Sequence, residues 1–210
     1  MKFGQMLLSV ATVGMVACGG GSTTPTPLTG GTTQTLSTIR VTTPTVALAA
    51  GAAATLVAEA LDAGGRVISG ATGYTYASSA AGVAELQGDG SVLAISAGTA
   101  TITVSLTRDG VTATSTAVVT VTGALAAAAT VSAGTGGLIF APASLVVARN
   151  ANVTFAFAGL HNVTFRTVTG APTNIPNTTA ASVTRAFPTA GNFPFDCTLH
   201  TGMTGMVMVR

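Results

Sequence analysis

The stretch GNFPFDCTLHTGMTGMVMV, residues 191–209, contains two apolar alternations on either side of a polar turn. Before the turn, Phe193, Phe195 and Cys197 occupy every second position, and after it valine and methionine alternate over residues 206–209. Successive side chains of a β-strand point to opposite faces, so this pattern predicts two strands with one buried face each. The polar residues between them predict a tight connecting turn.

That turn carries three side chains that bind soft or borderline metals. Cys197, His200 and Met203 stand three residues apart, and they offer a thiolate, an imidazole and a thioether. Two imidazoles and a thiolate in a trigonal plane, with a weak axial methionine, form a blue-copper site. His161 is the only other histidine of the chain. The sequence therefore predicts one copper ion held by these four residues.

Other interpretations of these residues stay open. A lone cysteine in a strand is commonly a small buried hydrophobe. Zinc is the competing metal, although it would favour a fourth histidine, cysteine or carboxylate over a thioether. Met206 is a second candidate for the axial position, but its place in the final strand favours Met203.

Composition excludes several classes of function. Only 7% of the 210 residues are charged, and the formal net charge is +2. This leaves no basic patch, so we expect no nucleic-acid partner. The acidic residues are scattered, which argues against a catalytic pair of carboxylates. The low charge and the abundant threonine and valine instead favour an all-β fold.

The N-terminus has the pattern of an export signal. Lys2 precedes an apolar run from Met6 to Ala17, which is shorter than the ~20 residues that a membrane span needs. Residues 1–17 therefore predict a signal peptide. Residues 18–36, rich in glycine, threonine and proline, predict a flexible tether.

The small residues before Cys18 resemble a bacterial lipoprotein signal. In that family the chain is cut before the cysteine, which then carries the lipid. The resemblance implies a lipid on Cys18 and anchoring in the cell envelope, with the outer membrane favoured because Gly19 follows and not aspartate. Met15 stands where leucine is usual, so a secreted or periplasmic protein stays the alternative. A lipid on Cys18 would also leave Cys197 without a disulfide partner.

Residues 37–123 contain short alternating runs separated by turn sequences. Within TITVSL, for example, Ile102, Val104 and Leu106 fall on one face, and the turn sequence RDG follows at 108–110. The predicted strands are TIRVT, ATLVAEAL, AELQ, SVLAIS, TATITVSLT and STAVVTVT. Several short strands at this spacing predict a β-sandwich.

Three segments of this region resemble the bacterial immunoglobulin-like domain, group 2. They are LAAGAAATLVAEALDAGGRVI, YTYASSAAGVAELQGDGSVLAISAGTATITVSL and STAVVTVT. Tyr76 departs from the family, which often has tryptophan there. The resemblance implies a spacer or an adhesive module on the cell surface.

Residues 124–210 predict a second sandwich, so the expected fold class is all-β with two β-sandwich domains in tandem. The alternation of Val153, Phe155 and Phe157 with smaller residues predicts one of its strands. A further strand is expected after His161. The uncharged segment TGALAAAATVSAG is expected to link the two domains, and residues 171–180 are expected to form a loop.

The residues around the predicted copper site resemble the cupredoxin family. GNFPFDCTLHTGMTGMVMV has the amicyanin type of spacing, with two residues in each interval between ligands, whereas plastocyanin-type loops have four in the last interval. The resemblance implies that residues 124–210, after the immunoglobulin-like domain, form a Greek-key cupredoxin sandwich that holds one type 1 copper. Its ligands carry over as His161, Cys197, His200 and Met203, and Asn162 carries over as the residue that helps to orient the thiolate by hydrogen bonding.

The function implied is one-electron transfer between redox partners at the cell envelope. A protein partner would dock near His200, with the membrane reached through the lipid on Cys18. The chain would then not be an enzyme, since a copper enzyme needs further histidines for its other centres. An envelope copper carrier or sequestering protein without a role in electron transfer is the alternative. A surface protein with a vestigial site is the third possibility.

Overall fold

Strands make up all the regular secondary structure in the described part of the chain, residues 34–88 and 90–210 of a computed structural model. This confirms the predicted all-β class. The predicted signal peptide, Cys18 and residues 19–33 of the tether lie outside the described residues. No helix with the length and apolarity needed to cross a membrane occurs in the part that is described.

The strands are numbered in chain order. The first nine are β1 (Thr38–Val41), β2 (Thr45–Ala49), β3 (Ala53–Thr55), β4 (Ala58–Leu61), β5 (Thr75–Ser78), β6 (Ala84–Leu86), β7 (Ser91–Ala94), β8 (Ser96–Arg108) and β9 (Val111–Ala124). The other nine are β10 (Ala128–Ala133), β11 (Phe140–Ala141), β12 (Ser144–Val147), β13 (Ala151–Phe157), β14 (His161–Phe165), β15 (Ile175–Thr178), β16 (Ser182–Phe187), β17 (Gly191–Asp196) and β18 (Thr204–Val209).

The N-terminal half is built around the long hairpin β8–β9. Its sheets have the orders β2-β9-β8-β5, β3-β7-β6 and β1-β4. The hairpin turns at Asp109 and Gly110, whose φ angles of 51° and 78° belong to the tight turn that the sequence predicted there. Ile102, Val104 and Leu106 are buried, as their alternation predicted.

One predicted strand of this half is wrong. The run ATLVAEAL was expected to form a single strand, but it divides into β3, which pairs with β7, and β4, which pairs with β1. Leu56 lies at the break, where its side chain is buried and its N–H donates to Gly90 O at 2.8 Å. The chain therefore passes from one sheet to another at Leu56. The alternation of apolar residues along the sequence continues across this point, so it does not mark the change of sheet.

The C-terminal half consists of two sheets that enclose an apolar core. Their orders are β11-β10-β13-β16 and β12-β18-β17-β14-β15. The predicted inward residues Val153, Phe155 and Phe157 are buried. Phe155 and Phe195 meet edge to face with ring centroids 5.3 Å apart, which fixes the packing between the two sheets.

Two segments of this half differ from the prediction. The expected linker contains β10, which pairs in parallel with β13, so only residues 125–127 separate β9 from β10. The expected loop at 171–180 contains β15, a sheet-edge strand anchored by the buried Ile175. Small residues in the first segment and a proline in the second weaken the sequence signal of a strand.

Residues Gln34–Arg210 form one compact unit with separate apolar cores in its two halves. The buried cluster of the C-terminal half runs from Val131 to Val209, and those of the N-terminal half lie between Leu36 and Val121. The ion pair between Arg210 Nε and Glu85 Oε2, 2.5 Å apart, links the halves. The division at residues 123 and 124 stays a prediction.

Candidate metal centre

The predicted turn after β17 is a short loop closed by backbone hydrogen bonds. The N–H of Cys197 donates to Met203 O at 2.9 Å, and the N–H of Met203 donates to His200 O at 3.2 Å. Cys197 continues the inward alternation of Phe193 and Phe195, so its thiol is buried. The closed loop places Cys197 and Met203 side by side at one end of the core.

His161 reaches the same place from another strand. It is the first residue of β14, which pairs with β17 through Thr164 and Asp196. Its Nδ1 lies 3.8 Å from Cys197 Sγ, and Nδ1 of His200 lies 3.4 Å from the same sulfur. The ligand atoms of these three residues all lie within 4.8 Å of one another. The fold therefore brings together three of the four predicted ligands. Along the chain, His161 lies 36 positions before Cys197, and His200 lies 3 positions after it.

The spacing of these atoms fits a bound metal ion. A metal that binds nitrogen at about 2.0–2.1 Å and sulfur at about 2.3 Å, in a trigonal or tetrahedral arrangement, separates the two by about 3.5–3.8 Å. The observed separation of 3.8 Å for His161 lies within that range, and the 3.4 Å for His200 lies 0.1 Å below it. One thiolate and two imidazoles suit copper or zinc. The described residues thus contain a His–Cys–His grouping that can hold a metal.

Met203 and Met206 have different environments. Met203 is 1% exposed and belongs to the apolar core beside Cys197. Met206 is half-buried within β18, where it lies between Ser144 and Pro194 on the neighbouring strands. Because Val207 points into the core, Met206 points to the opposite face of the sheet. Of the two methionines, Met203 is the one that shares a buried cluster with Cys197.

Asn162 connects the two segments that carry the site. Its Oδ1 accepts the N–H of Thr198 at 2.9 Å, and its Nδ2 donates to Thr198 Oγ1 at 2.7 Å and to Asn177 Oδ1 at 3.0 Å. The resemblance to cupredoxins implied that Asn162 helps to orient the thiolate by hydrogen bonding. The structure shows bonds to the residue after Cys197, and through them Asn162 holds the backbone from which the thiol projects.

Burial and charge set the electrostatics of the site. Burial lowers the pKa of His161, and the proximity of His200 lowers it further. The neutral imidazole, which is the form that binds metals, is thereby favoured. Asp196, the acid next to Cys197, accepts two hydrogen bonds from Arg166 at 3.0 and 3.1 Å, and this contact raises the pKa of Arg166.

Exposed apolar side chains lie next to two candidate ligands in the sequence and in one further loop. Two of the large hydrophobic residues that are exposed in the described C-terminal half directly precede candidate ligands. Leu160 precedes His161, and Leu199 precedes His200. Leu138 and Ile139 lie in the loop after β10. This loop was not predicted, although the glycines of AGTGGLIF are a turn signal in the sequence. Its first residue, Gly134, lies against the ring of His161.

No protein-family model matches the sequence, and no curated protein matches it. Part of the chain is similar to solved structures. An oxidised mutant of amicyanin has 28% identity and a TM-score of 0.35, over 40% of this chain and 83% of that one. A purple cupredoxin from Nitrosopumilus maritimus has 22% identity and a TM-score of 0.34, over 39% of this chain and 99% of that one. A Cu-containing nitrite reductase from Thermus scotoductus has 22% identity and a TM-score of 0.34, over 43% of this chain and 24% of that one.

Proposed function

We propose that this protein binds one copper ion through His161, Cys197, His200 and Met203 and carries single electrons. The observation that carries the proposal is the convergence of two imidazole Nδ1 atoms on one buried thiol, at 3.4 and 3.8 Å. Met203 is buried in the same apolar cluster as Cys197, and its thioether would supply the weak axial donor that distinguishes a blue-copper site from a structural zinc site.

The chain's own residues set the properties of this site. A bound copper would supply the one-electron change between Cu(I) and Cu(II). Cys197 would bind as the thiolate, and its burial under the phenylalanine core excludes water from the sulfur. His161 begins β14 and Cys197 directly follows β17 of the same sheet, so the donor atoms can keep their separation whichever charge the ion carries. A site whose shape changes little exchanges electrons with little reorganisation.

His200 is the ligand best placed to face a redox partner. Its ring is partly exposed, whereas His161 is 3% exposed. The exposed residues Leu138, Ile139, Leu160 and Leu199 belong to the segments that meet at this end of the sandwich. Exposed apolar patches mark sites of contact with other proteins. Because Arg166 neutralises Asp196 beside the loop, docking of a protein partner should depend weakly on ionic strength.

The predicted location fits this role. Cleavage before Cys18 and a lipid on that residue would anchor the chain in the cell envelope, with the tether and the immunoglobulin-like half between the lipid and the copper domain. Arg210, which contacts Glu85 of the N-terminal half, lies at the end of β18 opposite to the metal loop. This arrangement would leave the copper face free. We also propose that the chain is not an enzyme, since its two histidines are both used by one site.

The test is a titration of the metal-free protein with Cu(II), followed by visible absorption and a redox titration. We expect one equivalent of copper, an intense visible band from the Cys–Cu(II) bond and reversible one-electron reduction. Cys197→Ser should remove the band, because the thiolate is the charge-transfer donor. Cys18→Ser is the matched control and should leave it unchanged.

Two results would decide against the proposal. A wild-type protein that takes zinc and rejects copper would overturn the metal assignment. A blue protein that transfers its copper to an acceptor but exchanges electrons slowly would favour the copper carrier.

A further inference from the structure

A glycine outside the ligand set lies against one of the proposed ligands. Gly134 follows β10, and the imidazole of His161 occupies the space where a side chain at this position would begin. A β-carbon built on Gly134 would overlap Nε2 of His161 and lie 3.1 Å from Cδ2 and 3.3 Å from Cε1. Nε2 and Cδ2 form the edge of the ring opposite Nδ1, the nitrogen that lies 3.8 Å from Cys197 Sγ.

Several backbone contacts keep Gly134 in this place. Its N–H donates to Ile139 O at 3.1 Å, which closes the loop between β10 and β11. The preceding residue, Ala133, accepts a hydrogen bond from the N–H of Ala158 at 3.0 Å. Gly159 then approaches the same ring edge, since a β-carbon there would lie 3.7 Å from Nε2. The ring edge is thus bounded by two glycines on segments that are hydrogen-bonded to each other.

We propose that Gly134 is a positioning residue for the metal centre: its bare backbone forms the wall that directs Nδ1 of His161 towards Cys197 Sγ. An imidazole has two nitrogens, and only one can face the sulfur at a given ring orientation. The wall on the Nε2 side leaves room for the orientation in which Nδ1 lies 3.8 Å from Sγ. A side chain at position 134 would push the ring out of that orientation. This inference rests on the proposed function, in which His161 is a ligand.

The chain provides a matched control two residues away. Gly134 has φ +84°, a conformation that favours glycine, so a substitution there strains the backbone in addition to meeting the ring. Gly136 in the same loop has φ +86°, and a β-carbon there would meet nothing within 4 Å. Gly136→Ala therefore reproduces the backbone strain of Gly134→Ala without the contact to His161.

The experiment compares the full chain with Gly134→Ala, Gly134→Asn and Gly136→Ala. Asparagine tolerates a positive φ better than alanine but still adds a β-carbon, so it separates strain from contact. In the metal-free proteins, NMR would measure the ring chemical shifts of His161. Both Gly134 variants should shift these resonances, and Gly136→Ala should leave them at their wild-type positions. In a Cu(II) titration, the Gly134 variants should lose affinity by about 10–100-fold, the usual cost of removing support behind a ligand.

Ring shifts and Cu(II) affinities that match between Gly134→Ala and Gly136→Ala would overturn the proposal. If the Gly134 variants do not fold, the wild-type metal-free protein still tests it, because nuclear Overhauser contacts between the Gly134 α-protons and the His161 ring protons are required. Their absence would refute the proposed wall. A wild-type protein that binds no copper would overturn the proposed function, while the metal-free NMR would still show whether Gly134 orients the ring.

Discussion

Asn162 and Thr198 are joined by two hydrogen bonds, from the N–H of Thr198 to Asn162 Oδ1 at 2.9 Å and between Asn162 Nδ2 and Thr198 Oγ1 at 2.7 Å. Each of these residues directly follows a proposed ligand, His161 in one case and Cys197 in the other. The pair therefore fixes the distance between two segments that the sequence separates by 36 residues.

Asn162→Ala should destabilise the metal-free protein and weaken copper binding. The substitution removes the partners of the Thr198 N–H and hydroxyl in a partly buried place, which costs about 1–3 kcal/mol of unfolding free energy. Urea unfolding and Cu(II) titration would measure the two effects. Asn152→Ala is the control, because Asn152 is exposed on β13, and it should change both quantities little. An Asn162→Ala protein that binds copper with wild-type affinity would show that the hydrogen bonds between Asn162 and Thr198 are not needed.

Met203→Leu should retain copper and colour but raise the reduction potential. Loss of a weak axial donor destabilises Cu(II) more than Cu(I). The leucine also keeps the apolar volume of a buried side chain, so the fold should be preserved. Met206→Leu makes the same change on the opposite face of β18 and should leave the potential unchanged. A raised potential in Met206→Leu alone, measured by redox titration, would mean that the axial assignment is wrong.

The metal-free protein should lose stability as the pH falls below about 6.5. The pKa of His161 is lowered from 6.5 in the folded protein by burial and by His200. Between the lowered folded value and 6.5, the unfolded chain binds more protons than the folded chain, so acid favours unfolding. The contribution of His161 to stability is therefore complete above pH 6.5 and is lost progressively as the pH falls towards the folded pKa.

Urea unfolding in the presence of a chelator, at about pH 7.5 and about pH 5.5, would measure this dependence. His161→Gln cannot titrate, so it should show a smaller loss of stability between the two pH values. A wild-type protein that becomes more stable on acidification would contradict the buried environment of His161. An unchanged pH dependence in His161→Gln would assign the effect to other groups.

Removal of the N-terminal half should leave the copper site unchanged. The contact between Arg210 and Glu85 lies at the far end of β18 from the metal loop, which is about 20 Å for a six-residue strand. The two halves also have separate cores. The fragment 124–210 should therefore fold and should have the band and midpoint potential of the full chain. A large shift in either quantity would show that the N-terminal half affects the site.

Glu85→Gln tests the contact itself. Loss of this partly exposed ion pair should lower the unfolding free energy by about 1 kcal/mol or less, with no change in the visible spectrum. Glu59→Gln is the matched control, because Glu59 pairs with Arg40 inside the N-terminal half. A change in the visible spectrum of Glu85→Gln that Glu59→Gln does not show would mean that the contact between the halves affects the site.

The sequence by itself determined the all-β class, because apolar residues occupy every second position in several segments, which is the pattern of a half-buried strand. Phe193, Phe195 and Cys197 are buried as that pattern predicted. It also placed Cys197, His200 and Met203 on one turn, since residues so close along the chain cannot separate far in space. The sequence also predicted His161 as the fourth ligand, because the chain has no other histidine to complete the set.

Only the tertiary structure decided how distant segments meet. The strand β10 could not be seen in a run of small residues, and its parallel partner β13 lies more than 20 positions away. The bonds between Asn162 and Thr198, and the contact of Gly134 with His161, likewise join residues on different strands or loops. Alternation along one strand reports which face is buried, but it carries no information about which strand lies beside it. That choice depends on packing of the whole core and on satisfying the backbone hydrogen bonds of each strand.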